Sequence, residues 1–144
     1  MQIRPAQPGD AAALNELFDQ LGYPQDDIEA TAARVKEYAA DPTNAAYVAD
    51  AEGNLLGMIA VHVGQFLHRD GRWGRIDALV VSADARRQGV GARLVAEAEA
   101  FATSHGCVRI ELNSADHREA AHKFYERCGY VNQTGFSTRF LKVG

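Results

Sequence analysis

One succession of elements constrains the fold of this chain more than any other: strand, helix, strand, from Trp73 to Ser114. "WGRIDALVVS" is a run of aliphatic and β-branched residues with the length of a strand. "GVGARLVAEAEAFATSHG" puts Val90, Leu94, Ala98 and Phe101 on one helical face and stops at Gly106. "CVRIELNS" alternates Val108, Ile110 and Leu112 with Arg109, Glu111 and Asn113, the period of a strand. A strand, a crossover helix and a second strand wind right-handed, which lays the two strands parallel. Parallel pairing needs cover on its faces, so the chain is committed to layers of helix and sheet.

The flanking segments extend that plan. "MQIRPA" reads as a short strand, and "PGDAAALNELFDQLG" as a helix capped by Asp10, with Leu14, Leu17, Phe18 and Leu21 on one face. "DDIEATAARVKEYAA" is a second helix with an acidic first turn and a buried stripe of Ile28, Ala32, Val35 and Tyr38. "NAAYVAD" and "NLLGMIAVHVG", joined by "AEG", predict a hairpin. After the central unit, "REAAHKFYERCG" predicts a helix burying Ala120, Ala121, Phe124 and Cys128, and "YVNQTGFSTRFLKV" a last hairpin. The expected fold is α/β (α+β), a mixed sheet of about six to seven strands with helices on both faces and the parallel pair in its middle. At 144 residues, one domain over 1–144 is expected.

Composition narrows the function classes. A formal charge of −4 gives no general attraction to nucleic acid or anionic membrane, so neither is an expected partner. The longest apolar stretch, "LLGMIAVHV", is too short to span a bilayer, and "MQIRPAQPGD" has no apolar signal region. Cys107 and Cys128 form no CxxC and read as reduced residues of a cytoplasmic protein. His62, His68, His105, His117 and His122 have no HExxH spacing, so no metal is expected.

Three places could carry chemistry. In "DARRQGVGARL" a helix begins with arginines and glycines where acidic and capping residues are favoured. Free N–H groups beside Arg86, Arg87 and Arg93 suit a phosphate or pyrophosphate; equally, the glycines could tighten the turn beneath solvated arginines. The chain lacks GxxxxGK[ST], and "GVGARL" lacks the third glycine of GxGxxG. Asp77 stands in a strand, where Asp is depleted, and by alternation shares a face with Leu79 and Val81. It is either a structural acid paired with Arg75 or another arginine, or a general base activated by burial. Tyr125 stands beside Phe124 and four residues after Ala121, a spacing that fits either a core aromatic or a phenol able to protonate a departing thiolate.

Taken together, "LVVSADARRQGVGARLV" and "NSADHREAAHKFYERCGYV" resemble the GNAT superfamily of acyl-CoA-dependent N-acetyltransferases. Arg86-x-x-Gly89-x-Gly91 fits its pyrophosphate motif, and Ala121, Phe124, Tyr125 and Gly129 fit its closing helix and turn. The resemblance implies acetyl-CoA as cosubstrate, with backbone N–H groups of Gln88, Gly89, Val90, Gly91 and Ala92, helped by Arg86 and Arg87, on the pyrophosphate. It implies that the main chain of Leu79, Val80 and Val81 pairs with the pantetheine amides along a strand that bulges and splays from its parallel neighbour. Asn113 would bond the pantetheine arm or substrate, and Ala121 and Phe124 would complete the coenzyme A site. Tyr125 would protonate the sulfur, and Asp77 would take a proton from the attacking ammonium, directly or through water. The chain departs from many members at the start of the closing helix, where Arg118 replaces Asn.

For the acceptor, the resemblance implies a pocket from "FDQLGYPQDD" and "GQFLHRDG", with Tyr23, Phe66 and His68 as candidates. Asp26, Asp27 and Glu29 could attract a cation, or simply suit a helix N-terminus. The expected activity is transfer of acetyl to a small-molecule primary amine by direct attack in a ternary complex. The alternatives are a protein or peptide N-acetyltransferase and a non-catalytic acyl-CoA sensor; a homodimer is left open.

Overall fold

The computed structural model describes residues 1–114 and 118–144, so His117 lies outside the described residues, with Ala115 and Asp116. Two compact units, Met1–Leu112 and Asn113–Gly144, make up the chain. Among the described residues the first unit holds a five-stranded sheet of β1 (Gln2–Pro5), β2 (Asn44–Ala51), β3 (Asn54–Gln65), β4 (Arg72–Val81) and β5 (Cys107–Glu111), paired in chain order. It also holds α1 (Ala11–Leu21), α2 (Ile28–Ala40) and α3 (Val90–Ser104); the second unit holds α4 (Glu119–Arg127). Strands β1 to β4 are antiparallel neighbours, and β4 with β5 is parallel, as the crossover requires. No helix among the described residues is long and apolar enough to cross a membrane.

The two faces of the sheet follow from alternation along β3. Met58 and Ala60 join Leu14 and Leu17 of α1, Val48 and Val80 in one core cluster, against which Val35 and Tyr38 of α2 pack. Gly57 points the other way, where a Cβ would meet Leu94 of α3 at 3.1 Å. Ile59 and Val61 share that second face, and both are fully buried, as are Leu94 and Val95 of α3.

Several expectations are corrected. Among the described residues the sheet has five strands instead of about six to seven, and the parallel pair lies at its edge instead of its middle. The difference is the tail: "YVNQTGFSTRFLKV" contains no strand, and Val131, Phe136, Phe140, Leu141 and Val143 are exposed. Phe136 N and Ser137 N instead donate to Gln133 O in a local turn. Apolar spacing makes a strand only where a partner edge meets its N–H and C=O groups. Asp10 does not cap α1; its carboxylate accepts from Arg4 Nη2 at 2.8 Å, Arg4 Nη1 at 2.9 Å and Gln7 N at 2.8 Å. Asp27 does cap α2, accepting from Ala30 N at 3.0 Å, which gives it the structural role. Helix α4 has no fully buried residue: Ala120 is exposed, and Ala121, Phe124 and Cys128 are half-buried.

Candidate active site

A register shift builds the first part of the site. Ala60 pairs with Ala78 and Val61 with Ile76, so Asp77 is an extra residue on β4, a β-bulge. The bulge turns the alternation over. Ala78 and Val80 face the cluster with α1, and Asp77 opens on that same side beside Ala78. Asp77 therefore does not share a face with Leu79 and Val81, as simple alternation predicts. Its Oδ2 lies 2.6 Å from His62 Nδ1 and accepts from Tyr38 Oη at 3.0 Å, a hydroxyl also 3.2 Å from Val61 O. Arg75 Nε stands 3.6 Å from Oδ1, and Glu111 lies 3.6 Å from the same guanidinium. The edge of Trp73 meets the His62 ring, with centroids 5.2 Å apart. Burial, reinforced by the Asp77 charge and hydrogen bond, raises the Tyr38 phenol well above its ordinary range and keeps it a donor.

Asp77 opens into a depression of about 310 Å³ on the α1 and α2 side. Phe18, Leu21, Tyr23 and Ala78 form apolar walls, and Gln25, Arg34 and Asp77 supply polar groups. Of the residues expected around the acceptor, Tyr23 lines this depression. Phe66 and His68 do not line this depression: Phe66 is buried, with the guanidinium groups of Arg69 and Arg109 over its ring at 5.0 Å and 4.9 Å from its centre, and His68 packs edge-on against it.

The bulge also prepares the edge of β4. Its ladder to β5 runs from Arg72 with Cys107 to Arg75 with Glu111 and stops there. From Ile76 through Leu79, Val80 and Val81, that edge has no strand partner among the described residues. The main chain then turns into α3 through Arg87 and Gly89, both in the left-handed region, with φ of 69° and 78°. No side chain caps α3, and Arg93 N is the first to reach a helical carbonyl, that of Gly89, at 3.2 Å. The N–H groups of Val90, Gly91 and Ala92 therefore face out of the helix end. Arg86, Arg87 and Gln88 are exposed beside them, and neither arginine forms an ion pair among the described residues. A 15-residue helix ending in free donors and unneutralised arginines fits a pyrophosphate.

In the second unit, the Tyr125 ring meets Phe124 and Tyr130 at centroid distances of 5.3 Å and 6.2 Å. Burial raises its phenol, partly countered by Arg118, so the group stays protonated through neutral pH. Arg118 stands at the N-cap of α4 with no side-chain capping bond. Asn113, two residues past β5, is exposed.

The reading from sequence missed Tyr38 and His62. Tyr38 was legible as part of the apolar stripe of α2, and His62 as one of five scattered histidines. Only the register that sets His62 opposite Arg75 brings both to Asp77.

Comparison with known proteins identifies the family. A sequence model of the acetyltransferase (GNAT) family matches residues 11–130. The N-acetyltransferase YhfO of Bacillus subtilis (strain 168), whose function is uncharacterized, is 30% identical over 99% of this chain and 98% of its own length. The aminoalkylphosphonate N-acetyltransferase of Salmonella typhimurium (strain LT2) is 32% identical over 99% of this chain and 90% of its own. Among solved structures, a GNAT family acetyltransferase of Staphylococcus aureus USA300_TCH1516 superposes with a TM-score of 0.80 at 26% identity, covering 99% of this chain and 97% of that one. With a family match over most of its length, this chain belongs to the GNAT family of acetyltransferases.

Proposed function

We propose that the protein is an acetyl-CoA-dependent N-acetyltransferase that acetylates the primary amine of a small molecule, by direct attack in a ternary complex, in the cytoplasm. The observation that carries this reading is the uncapped, arginine-flanked start of α3, directly after the unpartnered edge of β4. The N–H groups of Val90, Gly91 and Ala92, with Arg86, Arg87 and Gln88, would hold the pyrophosphate of coenzyme A. The main chain of Leu79, Val80 and Val81 would take its pantetheine arm as a sheet edge takes a strand. Bound there, acetyl-CoA supplies an activated acyl group as a thioester.

An amine is a nucleophile only when neutral, so an acceptor ammonium must give up a proton. Asp77 takes it, directly or through water, and His62, in contact with the same carboxylate, passes it on. Tyr125 is the proton donor to the leaving sulfur, a role supported by its place in the closing-helix motif and by burial that keeps the phenol protonated. Ala121 and Phe124 are the further coenzyme A contacts of that motif, and Asn113, after β5, would bond the pantetheine arm or the substrate. The relative that by its name acts on aminoalkylphosphonates supports a small amine as acceptor. Two free cysteines agree with a reducing compartment.

The test is thiol release from acetyl-CoA across a panel of primary amines, with Tyr125→Phe and Asp77→Asn alongside. Amine-dependent release, reduced in both variants, is expected. Tight acetyl-CoA binding with no release on any amine would overturn the assignment of catalysis.

A further inference from the structure

The depression into which Asp77 opens is lined by two groups of opposite sign, Asp77 and Arg34, and Phe18, Leu21 and Ala78 supply apolar wall. Arg4 is paired with Asp10 and Asp50, and Arg75 with Asp77 and Glu111. Arg34 differs. Among the described residues no carboxylate lies within 4.0 Å of its guanidinium, and neutral oxygens hold it instead. Nη2 donates to Gln25 Oε1 at 3.0 Å and to Thr31 Oγ1 at 3.1 Å. The Thr31 hydroxyl is itself fixed, donating to Asn15 Oδ1 at 2.6 Å, with both residues buried. A guanidinium held through one nitrogen by neutral acceptors is oriented without being neutralised. Its remaining donors are free to meet an oxyanion.

From this juxtaposition we infer that the acceptor is zwitterionic: a primary amine joined by a short spacer to a carboxylate, phosphonate or phosphate, the oxyanion on Arg34 and the ammonium at Asp77. The apolar walls suit the spacer, and the volume of about 310 Å³ suits a molecule of that size. Arg34 is then a specificity residue, which binds the acceptor and takes no part in the proton transfers. Three acidic residues close in sequence to α2 do not compete for it: Asp27 is committed to capping α2, and Asp26 and Glu29 form no ion pair with it. The inference rests on the reading of the site as an amine acetyltransferase, and its test separates the two.

Steady-state thiol release is measured with O-phosphoethanolamine and β-alanine against ethanolamine and propylamine, for the unmodified protein, Arg34→Gln and Arg34→Lys. The expected kcat/KM for the anionic amines exceeds that for the neutral ones by about tenfold or more, the size of one charge-assisted contact. In Arg34→Gln that ratio falls to near parity through a raised KM; Arg34→Lys, which keeps the charge and loses the fork, lies between. A ratio near one in the unmodified protein, or a ratio undiminished in Arg34→Gln, overturns the inference and leaves acetyl transfer standing. If no amine is acetylated, calorimetry with O-phosphoethanolamine still decides. Binding that Arg34→Gln weakens at least tenfold upholds the anion site although catalysis fails, and equal binding by both proteins overturns it. The ratio of phosphate to carboxylate turnover identifies which oxyanion the site favours.

Discussion

Asp77 gathers a histidine, a phenol and a guanidinium around one carboxylate, and each residue there has a separable effect. In the proposed mechanism Asp77→Asn removes the proton acceptor while keeping the shape, and a fall in kcat of about 100-fold is expected. His62→Gln keeps a hydrogen-bonding group but cannot carry the proton, and a smaller fall, about tenfold, is expected in the same assay. Tyr125→Phe costs about 100-fold in kcat with acetyl-CoA affinity retained, as calorimetry would check. Because burial raises the Tyr125 phenol, its acidic form persists past the ordinary range near 10, so the alkaline loss of activity owed to this group lies above pH 10. The Arg4 and Asp10 pair acts on stability instead. The Arg4 guanidinium holds the Asp10 carboxyl below its ordinary value, so the folded protein binds its proton less readily than the unfolded chain. That contribution is complete above the ordinary carboxylate range and is lost as pH falls through the depressed value. Asp10→Asn, which removes the charge, should flatten this part of the acid unfolding profile followed by circular dichroism.

At the scale of elements, the proposed coenzyme A binding falls to the start of α3 and the edge of β4. A Cβ at Gly89 would meet nothing within 4 Å, yet the residue sits at φ 78°. Gly89→Ala therefore strains the turn alone, at about 1–2 kcal/mol, and raises the KM for acetyl-CoA through misdirected N–H groups. A variant with unchanged KM would show that the turn does not hold the pyrophosphate. Much of this was legible in the sequence. The arginines and glycines before Val90 contradict ordinary helix capping, and Asp77 contradicts ordinary strand composition, so both announced themselves locally. The bulge did not, because it is a mismatch of count between β3 and β4 that neither strand carries by itself. Tyr38 and His62 were hidden for the same reason. The tail was misread in the opposite direction: its apolar residues have strand spacing, but no described edge pairs with them.

For the molecule as a whole, the crossover from β4 through α3 to β5 decided the layered fold, and it was plain in the apolar periods of Leu94, Ala98 and Ile110. Leu94, fully buried against the sheet, supports both layers at once. Leu94→Ala should cost about 2–5 kcal/mol in denaturant unfolding, whereas substitutions at exposed Arg86 or Arg87 should change stability little and acetyl-CoA binding much. The most direct test of the central claim follows the acetyl group itself. Acetyl-CoA labelled in the acetyl carbons is incubated with the protein and a primary amine, and products are read by mass spectrometry. Labelled acetyl on the amine nitrogen, with one thiol released for each acetyl transferred, is the predicted result. Label remaining on coenzyme A across the amine panel, despite saturable binding, would contradict it.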